Sequence, residues 1–244
     1  ANMPNPFRHY EGVPVLDLPA DPPSIRAGAW DVLRGCAGAE SPVDGAAFFS
    51  QLLFHSAGIS ATKLVPATGN SYSLRVNPSS GNLHPTEFHF AARGVSGWSD
   101  GLYHYRPSQH MAEQRGAGDF GFDAPVTFLL TSIAWREAWK YRDRAYRYCL
   151  LDIGHAWQAL ELAAFAMGCR CVVEGAFEDA QISQQFGLAA DEWPMLLLSL
   201  RGPSIPIMSS NPGEPQWFGG TPNELSVFPQ LPDSILEIHA APCA

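Results

Sequence analysis

The sequence predicts an α+β domain with a proline-rich arm at each end. Three observations lead there. Helical and strand patterns mix without a regular βαβ repeat, proline crowds into the termini, and one long amphipathic helix lies in a proline-free middle. Residues 1–23 hold six prolines and residues 203–244 hold eight, whereas the long stretch between them holds only seven. Proline fixes φ and donates no backbone hydrogen bond, so both ends read as extended arms lying on a surface, this chain's or a partner's. The organisation is then an N-terminal arm over residues 1–40, a folded domain over 41–202, and a C-terminal arm or linker over 203–244. No internal repeat is visible.

The first helix is expected to begin at Ser41-Pro42-Val43-Asp44. Ser41 can cap, Pro42 suits the first helical position, and Asp44 fills the capping-box site. It runs through Ala46, Phe48, Leu52 and Leu53 and stops at Gly58. Alternating apolar and polar residues predict strands over 86–92 and 102–106, with another over 126–133. A second helix should span about 144–167 and end at Gly168. On a 100° wheel Cys149, Leu150, Ile153, Ala156, Trp157, Leu160, Ala163, Ala164 and Met167 share its core side, while Arg144, Arg147, Asp152, His155 and Gln158 share the other. A strand over 171–173, a short helix over 178–186 closed by Gly187, and a buried strand over 195–200 complete the body.

Composition narrows the function. The net charge of −9 argues against nucleic acid, because neutralising phosphates needs a basic face and none spans the chain. The most apolar stretch, from Val126 to Trp135, is broken by Thr127, Thr131 and Ser132, so no membrane span is expected. Five cysteines are an odd number and do not read as a stapled scaffold; a reducing, cytoplasmic compartment is expected. The chain begins at Ala1 without a secretory leader pattern, and reads as a fragment or processed form.

Several common motifs are absent. There is no G-x-G-x-x-G after a strand, no P-loop, no H-E-x-x-H and no G-x-S-x-G elbow. Cys169-x-Cys171 lacks a convincing second pair of ligands, so plain core cysteines are the favoured reading and no metal is expected. Asp152 and His155 stand three apart on one helix face, as a base with its orienter would, although a structural pair is the plainer reading. Two features are stronger. Arg136, Lys140, Arg142, Arg144 and Arg147 fall within twelve residues, interleaved with Trp135, Trp139, Tyr141, Tyr146 and Tyr148. That mixture suits a planar anionic ligand as well as a solvated helix start. The segment from Asn77 to Pro85, rich in turn formers and small polar residues, leaves backbone N–H groups for partners outside regular structure.

These two segments, with Val173-Glu174-Gly175-Ala176-Phe177, carry a resemblance. The pattern Arg75-x-x-Pro78-Ser79-x-Gly81-x-Leu83-x-Pro85-x-Glu87 resembles the signature of the SagB/ThcOx-type oxidoreductases, a branch of the FMN-dependent nitroreductase family. Trp139-Lys140-Tyr141, Arg144-Ala145-Tyr146-Arg147 and Leu151-Asp152-x-Gly154-His155 are similar to its next block, in the same order. The resemblance covers roughly residues 45–227 and implies a nitroreductase-like fold, with a central, mostly antiparallel sheet flanked by helices. It implies FMN held in a groove between two such domains, in a homodimer or a tandem pair, acting on a small-molecule or peptide substrate. Carried over, Arg75, Ser79, Ser80, Gly81 and Asn82 would hold the phosphate-ribityl chain or ring edge, and Glu174 and Gly175 would lie beside the flavin. Lys140 and Tyr141 match the pair linked in azoline dehydrogenases to proton removal, and Arg144 joins the cofactor-binding set. A partly desolvated lysine beside other cations suits a base.

Two departures bear on completeness. The Arg-rich stretch that nitroreductases carry before the first helix has only Ser24-Ile25-Arg26 as its nearest match, and no Lys or Arg follows Arg201. The expected phosphate site is therefore incomplete within this chain. The segment Asn2 to Gly12 resembles the lead-in to the first of two tandem domains, and Pro215 to Asn223 a bridge toward the second. The alternative reading is a degenerate, non-catalytic half that serves dimerisation or substrate docking.

Overall fold

A computed structural model describes residues 3–67 and 69–241; Ala1, Asn2 and Cys243, named above, lie outside the described residues. Its centre is an eight-stranded sheet whose pairings are all antiparallel. Taken in chain order, the first strands are β1 (Tyr10–Glu11), β2 (Val15–Asp17), β3 (Ile59–Leu64) and β4 (Ser71–Arg75). The body of the sheet is made by β5 (Thr86–Ala92), β6 (Gly101–Arg106), β7 (Met111–Ala117), β8 (Val126–Ser132), β9 (Arg170–Val173) and β10 (Trp193–Arg201). Two short strands follow, β11 (Gln216–Trp217) and β12 (Thr221–Pro222). The order across the sheet is β11-β7-β6-β5-β8-β10-β9, and β2 also pairs with β7. β3 and β4 form a separate hairpin, and β1 pairs with β12. The helices are α1 (Ala29–Leu33), α2 (Gly45–Ala57), α3 (Ala134–Tyr141), α4 (Ala145–Ala166), α5 (Asp179–Phe186) and α6 (Asp233–Ala240).

The two sheet faces bury different chemistry. Alternate residues Phe88, Phe90, Tyr103, Tyr105, Phe128, Leu130, Leu198 and Leu200 point to one face, where α2 supplies Phe48, Phe49, Leu52 and Leu53 and α4 supplies Ile153, Ala156, Leu160 and Met167. This main core gains from both apolar burial and aromatic packing, such as Phe49 stacked on Phe90 at 4.7 Å. On the other face Ala91, Leu102, Leu129 and Leu197 are covered by Ile182 and Phe186 of α5. Beside them lies a buried ionic patch. His104 bridges Glu113 (2.8 Å) and Glu87 (3.3 Å), and His89 contacts Glu192 at 2.6 Å. Tyr10 of the N-terminal arm closes over it, bonding Glu192 through its hydroxyl at 3.1 Å and Glu113 through its backbone N–H at 3.0 Å. Arg8 reaches Asp191 at 3.2 Å.

Most expected elements stand within one or two residues of their predicted ends, while several details differ. Asp44 itself caps α2, its carboxylate accepting from the Ala47 N–H at 2.9 Å, so Ser41 to Val43 precede the helix. The Asp44 side chain reaches the N–H of the third helical residue, which is what a cap requires. On α4, Leu150 and Trp157 are exposed although the wheel places them inward, and Asp152 is buried although the wheel places it outward. The cause is that α4 is covered on more than one side: the sheet takes one stripe, and the 77–85 segment takes Asp152. The arms are not wholly extended. They carry β1, β2 and α1 at one end and β11, β12 and α6 at the other.

Candidate functional site

The site is built on α3, whose eight residues present two neighbouring faces. Trp135 and Trp139 follow at i and i+4, and Glu137, Lys140 and Tyr141 follow at i, i+3 and i+4, so each set shares a side of the helix, with Arg142 just past its last residue. The second set faces the Asn77 to Pro85 segment. There Gly81 has φ 62° and Asn82 φ 60°, a left-handed turn that glycine adopts without strain. A Cβ on Gly81 would stand 2.8 Å from Lys140 Nζ and 3.0 Å from the Tyr141 hydroxyl. The turn and the Lys-Tyr pair, about sixty residues apart in sequence, thus meet at one open corner.

Asp152 anchors that corner from α4. Its carboxylate accepts from Ser79 Oγ at 2.7 Å, from Ser80 Oγ at 2.9 Å and from the Ser80 N–H at 3.0 Å. Ser79 Oγ in turn accepts from the His84 N–H at 2.8 Å, and Asn82 bonds the Ser73 carbonyl and His84. Burial raises the Asp152 carboxyl above its usual range, and the donors from Ser79 and Ser80 oppose that rise. Glu137 lies alongside, fully buried. Burial first, and then the Asp152 charge and a hydrogen bond with it, push the Glu137 carboxyl up to about 9, with Lys140 pulling the other way. The buried pair therefore holds a proton at neutral pH, while Lys140 is exposed and lacks the partial desolvation expected of it from the sequence.

The remaining expected residues divide. Arg75 is buried, donating to the Pro6 carbonyl at 2.5 Å, and its Nε has no partner among the described residues. Desolvation lowers its guanidinium to about 10, against support from Glu87. Arg136 is also fully buried, bound to Glu87 and the His84 carbonyl, both at 2.6 Å. It therefore buttresses the turn and leaves the exposed cation cluster. Glu87 is held down at about 2: burial alone would raise it, and Arg136 and His104 outweigh that. Arg144 is exposed and donates to the Tyr148 hydroxyl at 3.1 Å. Glu174 accepts from Ser199 Oγ at 2.5 Å, at the end of β9, and Gly175 beside it is exposed. The Asp152–His155 pairing does not form. His155 is exposed and contacts the Leu151 carbonyl at 3.2 Å, while Asp152 points to the serines. Among the described residues no group of three or more His, Cys, Asp or Glu is arranged to hold a metal ion.

The nitroreductase family model matches residues 59–202, which include the turn, α3, α4 and the strands that carry them. The chain belongs to the nitroreductase family. A protein of Methanocaldococcus jannaschii assigned as a nitroreductase is 29% identical over 134 residues, covering 50% of this chain and 67% of its own. A nitroreductase-assigned crystal structure from Anabaena variabilis superposes with a TM-score of 0.67 at 25% identity over 98% of this nitroreductase-family chain. The match takes up 48% of the Anabaena chain, so this chain spans about half that protein's length. A likeness at 17% identity and TM-score 0.51 to the Escherichia coli microcin synthetase McbBCD complex, solved with truncated pro-MccB17, covers 79% of this chain and 68% of that one. It bears on the fold alone.

Proposed function

We propose that this domain is one half of an FMN-dependent oxidoreductase of the SagB/ThcOx type, acting on a small heterocycle such as a peptide azoline. A second nitroreductase-like domain or a second copy would complete it. The observation that carries the reading is the corner where Gly81 meets Lys140 and Tyr141, since a Cβ at that position would press on the amine and the phenol hydroxyl.

The residues present fit the ring end of FMN better than its phosphate. Gly81 and Asn82 offer an open turn next to a lysine and a phenol, a polar edge for a flat ring. Ser79 and Ser80 already donate to Asp152, and Arg75 is buried against Pro6, so their side chains act by shaping the turn. A phosphate carrying nearly two charges would need Arg144, Arg142 or Arg147 together with donors from the partner domain. Glu174 and Gly175 remain the chain's candidates for lying beside the ring. Bound FMN would supply the hydride acceptor. Within this chain, Lys140 Nζ is the group that takes a ring C–H proton, and the Tyr141 hydroxyl orients the substrate or relays that proton.

The competing reading is a non-catalytic docking half, favoured by the internal satisfaction of Ser79 and Ser80 and by the absence of cations after Arg201. An absorbance spectrum separates the two. The flavin reading expects the oxidised flavin bands in protein purified with its partner domain or reconstituted with FMN. Protein that stays colourless after FMN addition in the paired state supports the docking reading.

A further inference from the structure

The other face of α3 lines a cleft of about 230 Å³ between α3 and the C-terminal arm, formed by Trp135, Trp139, Arg142, Ser226, Phe228 and Gln230. A dry cavity of about 150 Å³ is enough for benzene, so this one admits a single aromatic ring with a polar substituent. Its walls are two indoles and a phenyl ring, and its polar end is a guanidinium. Among the described residues the Arg142 guanidinium makes no ion pair or hydrogen bond, although its backbone N–H donates to the Ala138 carbonyl. The nearby carboxylates are otherwise engaged. Asp191 accepts from Trp135 Nε1 at 2.9 Å and pairs with Arg8, and Asp143 accepts from Ser234.

A second observation is independent of the cleft. Arg142 has φ 52° and ψ −130°, a backbone conformation that belongs to glycine, at the junction between α3 and the turn leading into α4. A glycine there would cost nothing sterically, whereas an arginine holds that conformation at a cost. The strain holds the one uncompensated guanidinium of the cleft beside two indoles.

We infer that this cleft binds an aromatic ring bearing a carboxylate, with Arg142 taking the carboxylate and Trp135 and Trp139 the ring. Guanidinium and carboxylate match as a two-pronged donor and acceptor, and the indole faces supply apolar contact at little entropic cost. The cleft lies on the face of α3 next to the one that carries Lys140 and Tyr141, and we assign it as a substrate-anchoring subsite. That role, though not the binding itself, rests on the proposed function. Such a ligand could be a free aryl acid or the aromatic C-terminal residue of a peptide.

Calorimetric titration without flavin tests the inference, with benzoate for the free acid and N-acetyl-phenylalanine for the peptide terminus. Benzamide and N-acetyl-phenylalaninamide are the uncharged controls. We expect at least one acid to bind tenfold or more tighter than its amide. Arg142→Gly should weaken that acid at least tenfold while leaving the melting temperature unchanged or raised, since glycine relieves the backbone. Arg142→Lys should retain part of the affinity. Equal binding of acid and amide, equal binding by wild type and Arg142→Gly, or no binding of either acid overturns the inference. Because no flavin is present, each of these results is distinguishable from failure of the cofactor reading.

Discussion

Asp152 contributes more to the site than its place on the helical wheel suggests, because one carboxylate accepts from two hydroxyls and a backbone N–H of the turn. Hydrogen bonds to a charged group are worth roughly 1.5–3 kcal/mol each, and part of that returns as solvation when they break. Asp152→Ala should therefore cost about 2–3 kcal/mol in denaturant unfolding and speed amide exchange at Ser80. Glu137 makes an opposite prediction. Its carboxyl sits at about 9 in the folded chain, so the folded state binds the proton more tightly than the unfolded state. Its stability contribution is complete below the unfolded value near 4.5 and declines as pH climbs toward 9. Glu137→Gln should raise the melting temperature at pH 8.5 by a few degrees, at roughly 2–4 °C per kcal/mol for a chain of this size, and change it little at pH 5. Equal shifts at both pH values would count against the buried proton. For the chemistry, Lys140→Met should keep bound flavin and abolish turnover; surviving turnover would leave Lys140 without a chemical role.

At the scale of elements, the sequence made the strongly patterned segments legible. The alternating run of β5 and the long apolar stripe of α4 follow from periodicity alone. The β3–β4 hairpin and α3 were less visible. The hairpin strands are mostly exposed and carry little apolar alternation, and α3 is eight residues of mixed charge and aromatics whose faces acquire meaning only when the 77–85 turn packs on one of them. The Lys140–Tyr141 pair and the Gly81 turn were legible as motifs, whereas the Asp152 clamp joins residues more than seventy positions apart and had no local signal. α4 also leaves Leu150, Leu151 and Trp157 exposed, with Val172 and Val173 of β9 exposed as well. On the proposed pairing, the exposed apolar residues of α4 would be a contact for a second copy or domain. Leu151→Arg should shift the paired species to monomer in sedimentation while the melting temperature of the single chain stays within about 1 °C, as a surface change should. An unchanged oligomeric state would remove this face from the pairing.

For the whole molecule, the two arms and the ionic patch form one device. Arg8 and Tyr10 close over Glu192 and Glu113, and β1 pairs with β12, so the termini are fastened to the sheet's second face. Although burial alone pulls the His104 imidazole down, Glu113 and Glu87 raise it above its usual range. The stability it supplies is complete below pH 6.5 and is lost as pH rises through its folded value. No described helix is long and apolar enough to cross a membrane. The nitroreductase family match spans residues 59–202, while on the proposed function the cofactor site would offer a ring corner without a full phosphate seat. FMN titration followed by native mass spectrometry tests this division directly, on the 244-residue chain alone and on the same chain paired with a second copy or a second nitroreductase-like domain. FMN is expected in the paired species, with weak or absent binding to the single domain. Tight binding of one FMN by the monomer, or a paired species that takes up none, would contradict it.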